Sequence, residues 1–162
     1  MKAQQTGEGS PTNLETRSAI AQGAVDQVGS TAYNYAVPGL PDTCSKFVAD
    51  TIQNAGADRP QTPTAEGRMQ DPSAGEWGSR DGSNGKTLIQ QWRSLTCGET
   101  PQPGDVAAVK VTIGTATGHS GIVTQVTNGK VWVVASDSKR IEYNKFLGSG
   151  APEVVYHRYI GD

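Results

Sequence analysis

Apolar positions recur at helical spacing twice in the first third of the chain, and alternate with polar ones only after position 100. Leu14, Ala21, Ala24, Val25 and Val28 fall at helical intervals, and Thr12 with Glu15 makes the Thr-x-x-Glu pattern of a capping box. This spacing predicts a helix that opens at Thr12 and stops at Gly29. Cys44, Phe47, Val48, Thr51, Ile52 and Ala55 stand at i, i+3, i+4, i+7, i+8 and i+11. They form one continuous face, so a second helix is expected over Cys44–Asn54. Asp42 or Thr43 can cap its start, and Gly56 lies just past its end. The intervening TAYNYAVPGLPDT reads as a turn-rich connector.

From Ala57 to Gly85 the chain is irregular, with one turn of helix expected near Ala65–Met69. A stretch of that length inside a compact domain is usually functional, and here it is expected to shape a groove. Leu88, Ile89, Trp92 and Leu95 suggest a short helix. After Pro101–Gly104 the period drops to two. Strands are expected at Asp105–Thr112, His119–Val126, Val131–Ser136, Arg140–Tyr143 and Val154–Tyr159. A glycine-rich turn at Gly114–Gly118 and an Asn128-Gly129 hairpin join the first three. Helices followed by an antiparallel meander of about five strands make an α+β domain, with the N-terminal helices packed on the sheet. Residues 1–12 are polar and read as a flexible leader, and 13–162 as one domain.

Composition narrows the function classes. The chain has 162 residues, enough for one domain with a real core. Its 14 basic and 16 acidic side chains give a net charge of −2, without the basic excess of a nucleic-acid binder. No apolar run approaches the roughly 18–20 residues of a membrane span, and no basic-then-apolar signal opens the chain. Two cysteines, Cys44 and Cys97, are too few for a disulfide scaffold or a four-ligand zinc site. The two histidines fall on separate strands, so no metal is expected. No helix follows Gly114–Gly118, so no phosphate-binding loop and no cofactor are expected either.

What remains is a cysteine at a helix start, a histidine opening a strand, and a polar residue on the next strand. A free thiol, near pKa ~8.5, is mostly protonated at neutral pH; helix N–H groups and a nearby imidazolium favour the thiolate. His119 would accept the Cys44 proton and later protonate a leaving amine. Pairing about the Asn128-Gly129 turn sets 119 opposite roughly 138, which brings Asp137 or Ser136 near the imidazole. Asp137 is preferred because a carboxylate both orients and stabilises a cationic ring; one bulge would favour Ser136 instead. Tyr35 and Ser45 are candidates for contacts with the substrate or its oxyanion, packing being the equal reading for Tyr35. Cys97 reads as structural or free, and a Cys44–Cys97 disulfide would silence the site. His157 reads as an ordinary strand residue, and Trp77, Trp92 and Trp132 as core or groove wall.

The stretch DTCSKFVADTIQNAG (Asp42–Gly56) resembles the cysteine-helix motif of the NlpC/P60 peptidases, usually Asp-Cys-Ser-Gly-Phe-Val. PQPGDVAAVKVTIGTATGHSGIVTQVTNGKVWVVAS resembles that superfamily's Pro-Gly-Asp strand, Gly-His strand and Asn-Gly hairpin. The related CHAP amidases share the Cys-then-His order. The resemblance implies a papain-like core and a thiol hydrolase acting on amide bonds of peptidoglycan stem peptides, with Cys44 as nucleophile and His119 as base. Three departures stand out: Thr43 replaces the usual Asp, Lys46 replaces a small Gly, and Val134 occupies the position that best matches the family's third histidine. The third member therefore stays open between Asp137 and Ser136. With no obvious wall-anchoring module, the chain is expected to be a secreted or delivered antibacterial effector reaching a target cell's periplasm or wall, with an immunity protein as a partner. The same site on a protein substrate, as a protease, deamidase or acyltransferase, is the alternative; a wall-binding module with a structural thiol is the reading from another class.

Overall fold

The computed structural model of the chain describes residues 11–33, 43–80, 89–113, 116–136, 141–145 and 153–161. Helix α1 spans Pro11–Asp26 and α2 spans Thr43–Asn54. The second is the helix its apolar spacing predicts: Cys44, Phe47, Val48, Thr51 and Ile52 are all buried, and Gly56 follows at φ +98°, a conformation that suits glycine at a helix end. The first differs from expectation. It begins at Pro11, so Thr12 lies inside it, and its buried positions are Asn13, Arg17, Ile20, Ala21 and Ala24. Leu14, Val25 and Val28 are exposed. Two polar residues displace them from the core because they reach distant carbonyls: Asn13 donates to Ile160 O at 2.8 Å and Arg17 to Tyr159 O at 3.4 Å.

The irregular stretch carries more structure than its composition suggests. Strands β1 (Thr62–Pro63) and β2 (Met69–Gln70) pair antiparallel, and the expected helical turn near Ala65–Met69 is the loop of this small hairpin. Helix α3 (Ala74–Trp77) follows, opened by a Ser73/Glu76 capping box. In place of the short helix around Trp92 the chain forms strand β3 (Trp92–Ser94). Ile89, Trp92 and Leu95 are buried, so the apolar spacing was right and the period was not.

Five longer strands follow: β4 (Val106–Ile113), β5 (Ala116–Thr127), β6 (Lys130–Ser136), β7 (Ile141–Lys145) and β8 (Val155–Tyr159). β4 to β7 form the expected meander, and β8 then returns to the far side of β4, with β3 beyond it. The sheet has six strands in the order β3-β8-β4-β5-β6-β7. The antiparallel sheet with helices gathered on one side is the α+β arrangement.

Two apolar clusters lie on the two faces of this sheet. Val106, Ala108, Ile122 and Val134 pack with Ile20, Phe47, Val48, Ile52 and Trp77 from the helices. Ala107, Val109, Val123, Val133 and Ala135 make the second cluster. Each fully buried Phe, Val or Ile side chain contributes about 1.5–3 kcal/mol, so α2 is held chiefly by Phe47, Val48 and Ile52. At the entrance to β4 the buried Asp105 carboxylate receives Arg158 Nε at 3.0 Å and Nη2 at 2.9 Å, and the Gln102 N–H at 2.8 Å.

Candidate active site

Cys44 is the second residue of α2, in the turn whose backbone N–H groups have no partner within the helix. It is 1% exposed and it is a free thiol, as is the exposed Cys97. No disulfide joins them. Thr43 and Ser45 on either side are buried too, and among the described residues their hydroxyls have no hydrogen-bond partner.

Helix α2 packs against β5 and β6. His119 lies in β5, half-buried and directly opposite Val109 of β4. Opposite residues share a sheet face, so His119 and Val109 stand on the side of the second cluster, while Ser120 and Ile122 stand on the α2 side. The backbone is bent immediately before the histidine. Gly118 has φ +152°, the register of β4 on β5 shifts between Lys110 and Ile113, and a Cβ on Gly118 would lie 1.9 Å from Val109 O. Irregularities of this kind re-aim a side chain at the end of a regular ladder. Only glycine fits there.

The register of β5 on β6 shifts between Val123 and Gln125. Near the turn Gln125 pairs with Trp132; beyond the bulge Val123 pairs with Val133 and Ile122 with Val134. The bulge moves the ladder by one residue from the spacing expected of the turn alone. Ser136, the last residue of β6, is buried and its Oγ donates to Tyr33 O at 3.2 Å. That bond ties the segment ahead of α2 to the sheet. Asp137 and Tyr35 lie outside the described residues. His157 is buried with its ring 5.2 Å from Trp77, edge to face, and belongs to the core, as do Trp77 and Trp92.

A network that composition did not suggest braces α2 from outside. Asp50 Oδ2 accepts from Tyr33 Oη at 2.7 Å and Lys46 Nζ at 2.6 Å, while Oδ1 accepts from Arg59 Nη1 at 2.6 Å. Arg59 also grips Asp71 through both carboxylate oxygens at 2.8 Å. Burial pushes the Asp50 carboxyl up, but the bonds from Lys46, Tyr33 and Arg59 outweigh it and hold the group below its ordinary value. Burial, then the bond to Asp50, raises the Tyr33 hydroxyl, so it stays a donor. Arg59 thus joins the segment after β2 to the helix that carries Cys44. The Lys46/Asp50 pair was readable from its i, i+4 spacing; Arg59 and Asp71 carry no local signal.

Between the first turn of α2 and the β1–β2 hairpin lies a cleft of about 480 Å³, lined by Ser45, Lys46, Gln61, Met69, Gln70 and Asp71. Ser45, the residue after Cys44, is part of its lining. Among the described residues no group of three His, Cys, Asp or Glu side chains could hold a metal, and no helix is long and apolar enough to cross a membrane.

A family model described as CHAP domain matches residues 32–137, well over half of the chain. The match spans α2, the cleft, β4 to β6 and the position of Asp137. No curated protein and no solved structure is significantly similar to the chain.

Proposed function

Because the chain belongs to the CHAP domain family, we propose that it is a cysteine hydrolase that cleaves amide bonds in the stem peptides of bacterial peptidoglycan. CHAP domains are typically hydrolases, often cysteine-dependent. The observation that carries the reading is Cys44 in the first turn of a helix that packs on the His119 strand, inside the matched region.

In this mechanism His119 takes the Cys44 proton and the thiolate attacks the scissile carbonyl, forming a C–S bond. The tetrahedral oxyanion is held by the Cys44 backbone N–H, with Tyr35 and Ser45 as further contacts to substrate. His119 protonates the amine as the C–N bond breaks. Water, deprotonated by His119, then releases the acyl group and restores the thiol. Gly118 lets β5 approach β4 closely at the residue immediately before His119, where a Cβ would meet Val109 O. Asp137 orients the imidazole in this reading, since a carboxylate both aims and stabilises a cationic ring. The enzyme acts as a delivered antibacterial effector at the target cell wall, with an immunity protein that blocks the cleft in the producing cell.

Separation of muropeptides after incubating purified peptidoglycan with wild type and Cys44→Ala tests the proposal. A new amine terminus that depends on Cys44 is expected; its absence overturns the hydrolase reading. One observation favours a second reading. The complete burial of Cys44, with His119 on the ladder face away from α2, also fits a wall-binding module whose thiol is structural. Binding of wall fragments that survives both Cys44→Ala and His119→Ala, without turnover, would establish it.

A further inference from the structure

The cleft between the first turn of α2 and the β1–β2 hairpin is lined largely by hydrogen-bond donors. Lys46 uses one N–H on Asp50 and lies 5.6 Å from the Tyr33 ring centroid, and its side chain is 54% exposed. Asp50 does not depend on it, because Arg59 and the Tyr33 hydroxyl remain bonded to the same carboxylate. The other acid of the lining, Asp71, has both oxygens on Arg59. Its charge is already matched. Gln61 and Gln70 are exposed and present their amides along the same cleft, and among the described residues the hydroxyl of Ser45, which is 5% exposed and lines it too, has no partner. Met69 adds an exposed apolar wall from the tip of β2.

An ammonium with further N–H donors, two exposed amides and a buried hydroxyl without a partner together suit an anionic, hydrogen-bonding guest better than an apolar or cationic one. We propose that this cleft is a substrate subsite that reads a free carboxylate on the peptide, with Lys46 as its specificity-determining residue, Ser45, Gln61 and Gln70 as supporting donors, and Met69 packing on the aliphatic part of the same residue. The inference rests on the hydrolase reading for its substrate and on the cleft for its chemistry. Lys46 swings from Asp50 to the incoming carboxylate, and the exposed i, i+4 pair it leaves is a weak one. Arg59 fixes the far wall by tying Asp71 to Asp50, so the cleft keeps its width when Lys46 moves.

The test is calorimetric titration of the full chain carrying Cys44→Ala with a synthetic stem tetrapeptide whose side-chain carboxyls are free, and with the same peptide amidated. Binding is measured, so turnover is not required. The free acid is expected to bind about tenfold more tightly, because the amidated peptide leaves the ammonium unmatched. Adding Lys46→Gln should bring the two affinities together, whereas Lys46→Arg should keep most of the preference. Equal affinities in the parent, binding of neither peptide, or a preference that survives Lys46→Gln overturns the subsite. The wild-type digest judges the other reading independently: a carboxylate preference without digestion refutes the hydrolase and keeps the subsite, and digestion without preference does the reverse.

Discussion

Replacing Asp105 by alanine removes a fully buried carboxylate that receives three hydrogen bonds, two from Arg158 and one from the Gln102 backbone. What remains is the Arg158 guanidinium, 6% exposed, with Thr100 O at 3.1 Å and Glu99 at 3.6 Å among its acceptors. The magnitude follows from a buried charge that has lost its two-bond carboxylate partner. Burial pushes the Asp105 carboxyl up and the Arg158 pair does not fully offset it, so the pair gains little over two well-packed apolar residues. Breaking it from one side is different, and costs about 3–5 kcal/mol. Against a whole-domain stability of about 5–15 kcal/mol this is a large share. Urea melts should show the midpoint of Asp105→Ala falling steeply at unchanged slope. The double variant Asp105→Leu/Arg158→Met should lose much less than the sum of its single losses, because it removes both partners of the ion pair together. A single-variant loss below about 0.5 kcal/mol, or strict additivity in the cycle, would refute the reasoning.

Gly118→Ala forces a Cβ against Val109 O and a side-chain-bearing residue into φ +152°; a loss of about 2 kcal/mol or more is expected, with a matching fall in wall hydrolysis, and an unchanged melting temperature would contradict the bend described at His119. Arg93, then the Thr96 N–H, holds the Glu99 carboxyl down at about 2. A carboxyl lowered in the folded state stabilises fully above its unfolded value near 4.5 and loses that contribution as pH falls toward 2. The stability gap between wild type and Glu99→Gln should therefore be widest near neutral pH and close by pH ~2, and a gap independent of pH would count against the pair. Cys97 is exposed, with Arg80 donating to its sulfur, and no element of the proposed chemistry uses it. Cys97→Ser should leave muropeptide release intact, and a loss equal to that of Cys44→Ala would move the nucleophile.

Where local physics decides the structure, the sequence reads well. The apolar face of α2 has a 3.6 period with a glycine after it, and Asn128 and Gly129 both take positive φ, as a tight hairpin turn requires. Cys44 and His119 are placed by these two features. The misreadings share one cause, which is contact across a long separation. The α1 face is set by Asn13 and Arg17 reaching the end of β8, not by the exposed Leu14 and Val28. Trp92 falls in a strand because β8 returns to pair with it, and nothing near position 92 encodes that return. β1 and β2 are two residues each and mostly exposed, too short for any period. The bulge between Val123 and Gln125 shifts the β5–β6 register by one residue, and no glycine or proline marks it. The groove expected of the irregular stretch is there, but its lining residues carry no local signal, because Arg59 joins Asp50 to Asp71 across the chain.

The pairing of Cys44 with His119 is tested most directly by the rate at which iodoacetamide alkylates Cys44 across pH, followed by peptide mass spectrometry so that Cys97 serves as an internal reference. Wild-type Cys44 should react at least about tenfold faster than Cys97 near pH 6, where an unassisted thiol is almost entirely protonated, and His119→Ala should remove most of that advantage. A Cys44 that reacts more slowly than Cys97 at every pH, or at a rate His119→Ala leaves unchanged, would contradict the account.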